Sequence, residues 1–202
     1  MAGKIAPGRL PSFSEAQVLK ALEEIDLQKG VGRLRLSKSL NLGEGEVRTL
    51  IKHLKNEKLV QVSKSGILLS ERGRKIISEL RTDMSEQLEV PSTPLTVGSE
   101  NIAIRITRTR DCVKYGLEQR DAAIMAGAKG ATTLIFSKGK LNIAGTGEEV
   151  SNEDAAVRTL LSKTKMNDGD VIIIGSADEK TSAELGAKTA AIQLLSSKYK
   201  NK

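Results

Sequence analysis

Residues 43–70 read GEGEVRTLIKHLKNEKLVQVSKSGILLS, and this stretch decides the fold of the first part of the chain. Two short runs of β-prone residues, 59–63 and 67–70, are separated by a turn that contains Gly66, which is typical of a hairpin. The stretch therefore predicts a helix followed by a β-hairpin. The apolar residues that predict the helix share one face at helical spacing: Val47, Leu50, Ile51 and Leu54.

Two more helices are expected upstream of this stretch. The first runs from Ser14, which can cap the first turn, to about Gly30, because its apolar residues recur with the helical period. A short extended run is expected over 32–36. Ser37 is then expected to cap a short helix that stops at Asn41.

Downstream of the hairpin, Ser70 is expected to cap another helix, which resumes the helical period. The order of elements over 14–84 resembles that of the winged helix-turn-helix family of transcription regulators. The segment LSERGRKII at 69–77 is similar to the start of the helix that follows the wing in many members. The resemblance implies that the third helix, which opens at Glu44 or Gly45, enters the major groove of duplex DNA.

The resemblance also implies which side chains contact DNA. Arg48 and Lys52 are one helical turn apart, so they can reach a guanine edge and a neighbouring phosphate. Lys64 at the wing tip would contact a phosphate without reading sequence. His53 stays open between a contact and a bystander, and an ordinary solvated face is the alternative for the whole set. The implied DNA-binding residues are Arg33, Arg35, Lys38, Arg48, Thr49, Lys52, His53, Lys55 and Lys64.

The charge of the chain is unevenly distributed. The net charge is +7, and residues 1–84 hold 16 Lys and Arg against 10 Asp and Glu, whereas residues 85–202 hold 16 against 15. A basic first part suits a polyanionic partner. Aromatic residues make up only 2% of the chain, which argues against recognition of single strands by base stacking. Double-stranded DNA is therefore the expected partner.

Several classes of function are not expected. No apolar run of about 18 residues and no apolar signal core occur, which predicts a cytoplasmic protein with no membrane partner. Cys112 has no Cys or His at metal-ligand spacing, so no metal and no cofactor are expected. The single histidine lies in the third helix, and the motifs of common catalytic sites are missing, so an enzyme is not expected.

The second part of the chain predicts a separate domain. We place a winged helix-turn-helix domain at 1–84, a linker rich in Pro, Ser and Thr at 85–99, and an α/β domain for effector binding or dimerisation at 100–202. Its pattern predicts the order βαββαβα, which fits a ferredoxin-like sandwich, so the expected fold class is α+β. The predicted elements are a strand over 102–107, a helix over 111–126, a hairpin over 131–144, a helix capped by Ser151, a strand over 170–175 and a helix over 179–198.

Two segments of this second part, GAKGATTLIF from Gly127 and DGDVIIIGSAD from Asp168, are similar to the C-terminal domain of uncharacterised archaeal winged-helix regulators. This resemblance implies an archaeal regulator and names no ligand.

Two candidate ligand sites follow from the residues. Gly175, Ser176 and Thr181 lie where a strand ends and a helix begins, so free N–H groups and hydroxyls can meet an anion; a simple helix cap is the alternative. Arg120 falls within a stripe of apolar residues and needs a partner, which is a ligand, water or an internal acid such as Asp121. The lone Gly-X-Gly at 145–147 lacks the third glycine of a dinucleotide fingerprint.

The sequence thus predicts a homodimeric transcription regulator whose winged helix binds operator DNA and whose second domain dimerises, binds a small-molecule effector, or does both. An enzyme fused to a winged helix and a winged-helix adaptor or architectural protein are the alternatives.

Overall fold

The computed structural model describes residues 13–200, which form two compact units that divide after Arg74. The sequence analysis places the division at residue 84 and a linker over 85–99. In the structure, Leu88–Glu89 within that segment forms a strand that pairs with the sheet of the second unit. The segment therefore contributes to the second unit.

The first unit consists of helices packed against a two-stranded hairpin. Ser14 caps the first helix through hydrogen bonds with Gln17, and the Ser70 hydroxyl accepts a hydrogen bond of 3.0 Å from the Gly73 N–H, as predicted for a cap. The elements are α1 (Glu15–Gln28), α2 (Arg33–Leu40), α3 (Glu44–Asn56), β1 (Val60–Ser63), β2 (Gly66–Leu69) and α4 (Glu71–Asp83), which begins in this unit.

The predicted extended run over 32–36 is wrong, because α2 begins at Arg33. Leu36 and Leu40, four residues apart, are both fully buried, and this burial favours a helix. Ser37 lies inside α2 and donates a hydrogen bond of 2.6 Å to the Leu42 carbonyl, so it does not cap the helix.

The second unit contains a five-stranded sheet in which every neighbouring pair is antiparallel. Its strand order is β3-β4-β7-β5-β6. The predicted class, α+β, is confirmed. The elements are β3 (Leu88–Glu89), β4 (Glu100–Ile106), a 3-10 turn (Arg110–Cys112), α5 (Leu117–Met125), β5 (Gly130–Ser137), β6 (Lys140–Ile143), α6 (Ala155–Lys163), β7 (Val171–Ala177) and α7 (Lys180–Lys200).

The ferredoxin-like pairing is wrong. In that fold the strand inserted between the two strands of the first βαβ unit is the hairpin partner, which would be β6. Here β7 lies between β4 and β5, and β6 is at the edge. β7 takes the central place because it is the strand suited to burial on both faces. All seven of its residues are buried, whereas β6 has four residues of which one is buried.

Helices cover both faces of this sheet. On one face, a Cβ added to Gly175 of β7 would lie 2.5 Å from the Ala183 carbonyl oxygen, so α7 packs directly on the strand. On the other face, Ile172 and Ile174 share an apolar cluster with Val157 of α6. The arrangement has a helical layer on each side of the sheet, whereas a ferredoxin-like sandwich has helices on one side.

Two local predictions in this unit are also wrong. The helix predicted over 111–126 is a 3-10 turn followed by α5, and Gly116, with φ 75°, separates them. The helix predicted to be capped by Ser151 is capped by Asp154, whose carboxylate accepts hydrogen bonds from the N–H groups of Ala156 and Val157.

Candidate nucleic-acid interface

Helix α3 presents a stripe of basic side chains to solvent. Val47, Leu50, Ile51 and Leu54 are buried, whereas Arg48, Lys52 and Lys55 are exposed. At about 100° per residue, these three basic residues fall within an arc of about 60°. We call Arg48, Lys52 and Lys55 the α3 stripe.

Two other residues of the predicted set, His53 and Thr49, are less available for contact with DNA. His53 is about 140° from Arg48 around the helix, and its ring centroid lies 5.8 Å from that of Phe13. The Thr49 hydroxyl donates a hydrogen bond of 3.0 Å to the Gly45 carbonyl. Both side chains are exposed, but both already have a partner within the protein.

The wing, which is the hairpin formed by β1 and β2, is held against the residues just before α2. Val31 and Ile67 exchange backbone hydrogen bonds of 3.1 and 3.0 Å, so Val31 adds one residue to the hairpin. Gly66 makes this approach possible, because it has φ 120° and a Cβ there would lie 3.1 Å from the backbone of Val31. Arg33 follows two residues after Val31 and is therefore placed beside the hairpin.

A cleft of about 450 Å³ lies between α3 and the wing. Three basic residues of the predicted set line it, namely Arg33, Arg48 and Lys64. The other six lie on exposed positions outside its lining: Arg35, Lys38, Thr49, Lys52, His53 and Lys55.

The basic residues of this surface keep their charge free of acidic partners in the part of the chain that the structure describes. Among residues 13–200, none of Arg33, Arg48, Lys64 or the α3 stripe forms an ion pair with an acidic side chain. Glu46, at the start of α3, accepts a hydrogen bond of 2.8 Å from the Gly43 N–H and thus serves the helix terminus. The surface therefore keeps a positive potential that suits phosphate groups.

The sequence analysis missed Ser63 as a residue that shapes this cleft. Its hydroxyl accepts a hydrogen bond of 3.2 Å from the Ser65 N–H and donates one of 3.1 Å to the Gly66 carbonyl. These bonds order the turn that carries Lys64. Serines on both sides of Lys64 were the available signal, since serine hydroxyls commonly bond to nearby backbone in turns.

The predicted ligand residues of the second unit are dispersed, and none lines the α3–wing cleft. Gly175 and Ser176 are buried in β7, and Thr181 is partly exposed in the first turn of α7. Arg120 is exposed and forms hydrogen bonds of 3.1 and 3.0 Å with Asp121. The stripe that was predicted to bury it is wrong, because Leu117 and Ile124 are each 47% exposed.

The described residues offer neither a metal site nor a membrane-spanning helix. Within residues 13–200, no three His, Cys, Asp or Glu side chains are grouped so that they could hold a metal ion. None of the helices in that range is long and apolar enough to cross a membrane.

The two parts of the chain match two different families. Residues 17–84 match the family described as the CggR N-terminal DNA binding domain. Residues 97–194 match a domain of unknown function, DUF4443. These matches confirm the predicted winged-helix regulator with an uncharacterised C-terminal domain, and the first supports a DNA-binding transcription regulator.

Among solved structures, a hypothetical protein, PH0730 from Pyrococcus horikoshii OT3, is similar over 92% of this chain and 94% of its own, with 26% identity and a TM-score of 0.74. A hypothetical protein, SSo2273 from Sulfolobus solfataricus, is 22% identical over 33% of this chain and 52% of its own, with a TM-score of 0.30. A MepR mutant from S. aureus is 23% identical over 41% and 65%, with a TM-score of 0.31. No curated protein matches the sequence.

Proposed function

We propose that this winged-helix protein with an uncharacterised C-terminal domain is a homodimeric, cytoplasmic transcription regulator that reads an operator in duplex DNA through helix α3. A small-molecule effector bound by the second domain modulates its affinity for DNA. The observation that carries the proposal is the cleft between α3 and the wing, where Arg33, Arg48 and Lys64 converge and have no acidic partner among residues 13–200.

The α3 stripe supports reading of base edges. A helix fits into the major groove, which is about 12 Å wide, and an arginine or lysine there can donate to the acceptor atoms of guanine. Arg48 and Lys52 are neighbours on the exposed side, so one can contact a base while the other contacts a phosphate. Lys55 continues the stripe toward the end of the helix.

Arg33, Arg35, Lys38 and Lys64 support affinity. All four are exposed, and the first two lie in the first turn of α2, while Lys64 is at the wing tip. Contacts to phosphates release counterions from the DNA, so they favour binding to any sequence and depend on salt. We propose that His53 and Thr49 make only minor contacts with DNA, since each side chain already contacts another part of the protein.

The experiment that tests this function is selection of binding sites from random duplex DNA by the full-length protein at physiological salt. We expect an enriched palindromic motif, because one α3 reads only a short half-site and two must act together. The variant with Arg48→Ala and Lys52→Ala should bind DNA weakly and enrich no motif.

A matched control removes two charges from the second unit instead. Lys163→Ala with Lys165→Ala changes two exposed residues at and after the end of α6, and this variant should enrich the same motif as the wild type. Enrichment of an unchanged motif by the Arg48 and Lys52 variant would refute α3 as the reading element. No enrichment by the wild type would favour an adaptor or an enzyme.

A further inference from the structure

The second unit contains a basic groove outside the surface assigned to DNA. Its volume is about 540 Å³, within the range of small-molecule sites. It lies along the β5–β6 hairpin, and the 3-10 turn Arg110–Cys112 and the turn that follows β6 contribute to its walls. Ile135 and Ile143 give it an apolar part.

Four basic residues line this groove, namely Arg110, Lys114, Lys138 and Lys140, and no acidic residue does. The Arg110 guanidinium donates a hydrogen bond of 3.1 Å to the Ser137 hydroxyl, which fixes its position. The Lys140 ammonium lies 2.8 Å from a carboxylate oxygen of Glu149. The side-chain ammonium groups of Lys114 and Lys138 form no ion pair among residues 13–200, while the Lys138 backbone N–H donates a hydrogen bond of 2.6 Å to the Asp168 carboxylate.

This clustering is not a consequence of composition. Residues 85–202 hold 16 basic and 15 acidic side chains, so acids are as available there as bases. Several other basic residues of this unit are paired with acids, as Lys129 is with Asp178 and Arg105 with Asp170. The groove is a local concentration of positive charge in a nearly neutral domain.

The turn after β6 adds neutral donors. Gly145 and Thr146 line the groove, and their backbone N–H groups donate to no residue in the described part of the chain. Gly145 has φ 91°, and a Cβ there would lie 3.0 Å from the Tyr115 carbonyl oxygen, so the turn requires glycine. Successive free N–H groups in such a turn are a common anion-binding arrangement.

We propose that this groove binds a small organic molecule that carries phosphate. An arginine, lysines and free backbone N–H groups are the donors that phosphate oxygens accept from most often, and the two isoleucines suit the organic part of the ligand. The groove is also the effector site of the regulator, an assignment that rests on the proposed function.

The first test measures binding without DNA, so it is independent of the proposed function. Inorganic pyrophosphate is titrated into ¹⁵N-labelled full-length protein at constant ionic strength, and amide shifts are followed by NMR. We expect saturable shifts concentrated at Ser137, Gly145 and Thr146. The variant with Lys114→Ala and Lys138→Ala should bind at least about tenfold more weakly, because two charge-assisted contacts are lost. The Lys163 and Lys165 control variant should bind like the wild type.

Shifts that spread over lysines of both units without saturation, or equal affinity in the Lys114 and Lys138 variant, would overturn the site. A second arm measures the affinity of that variant for duplex DNA without pyrophosphate. Unchanged affinity supports a small-molecule site. Weaker affinity with a reduced salt dependence would show that the groove contacts the DNA backbone and would overturn the proposal.

Discussion

In the proposed interface, Lys64 contributes to the affinity for DNA but not to the discrimination between DNA sequences. Lys64 stands alone at the tip of the wing, between serines whose hydroxyls hold the turn, and its side chain is exposed. A charge in this position can reach a phosphate, and a phosphate carries no sequence information.

We therefore expect Lys64→Ala to weaken binding to operator and random duplexes by the same factor. The slope of log K against log salt should become about one unit less steep, since one fewer counterion is released. Fluorescence anisotropy over a salt series measures both quantities, with Lys163→Ala as the control for loss of one charge. A loss confined to the operator would mean that Lys64 reads sequence.

At the scale of elements, the last turn of α4 is tied to the end of α7 within the second unit. The Asp83 carboxylate lies 2.7 Å from the Lys198 ammonium, and it accepts hydrogen bonds from the hydroxyls of Tyr199 and Thr107. Burial acts to raise the pKa of Asp83, but the bonds from Lys198 and Tyr199 outweigh it, so the pKa lies below its ordinary value of 3.8.

A lowered pKa means that ionised Asp83 stabilises the fold at all pH values above 3.8, and that this stabilisation is lost as the pH falls through the pKa of the folded protein. We expect Asp83→Asn to lower the free energy of unfolding by about 1–3 kcal/mol at pH 7. The difference from wild type should shrink below about pH 4.

Urea denaturation at pH 7, 5 and 3 measures this difference, and Asp178→Asn, which changes an acid with 64% side-chain exposure, is the control. A difference of the same size at pH 3 and pH 7 would show that Asp83 acts through packing and not through charge.

The sequence predicted elements wherever short-range rules suffice. Helix α3, the wing and the Ser70 cap follow from periodicity, turn residues and a serine. Where two local solutions compete, the sequence does not choose between them: Ser151 and Asp154 are both good caps, and the structure uses Asp154. The central position of β7 depends on pairing between distant segments, about which local pattern says nothing.

The candidate site shows the same division. Exposure of the α3 stripe follows from the helical period, and it was predicted. The convergence of Arg33 with Lys64 could not be predicted from the sequence, because it depends on the bridge between Val31 and Ile67. Likewise, the four basic residues of the groove come from segments separated by up to thirty positions, and only folding brings them together.

For the whole molecule, the proposed function requires two copies. The half-site that one α3 reads is short, so we expect the full-length protein to be a dimer at micromolar concentration by light scattering. Exposed apolar side chains on and near α5 suit contact with a second copy, because they face water in the monomer and a dimer interface would bury them. They are Tyr115, Leu117, Ile124 and Met125.

We expect Ile124→Glu to convert the dimer to a monomer, since an unpaired charge would be buried in the interface. Leu161→Glu on α6, where the leucine is 38% exposed, is the matched control and should leave the mass unchanged. A monomeric wild type would contradict the homodimer, and a dimeric Ile124 variant would place the interface elsewhere.

The central position of β7 also has a consequence for the order of folding. This strand pairs with β4 and β5 on its two sides, and residues 100 and 177 are partners in the first of these pairings. During synthesis, β4 and β5 leave the ribosome well before β7, the strand that must lie between them. Until β7 is made, each of the two strands has an edge whose backbone N–H and C=O groups are unpaired. The winged-helix unit lies entirely upstream of these strands, so we expect the second domain to fold last and to limit the rate at which the nascent chain matures.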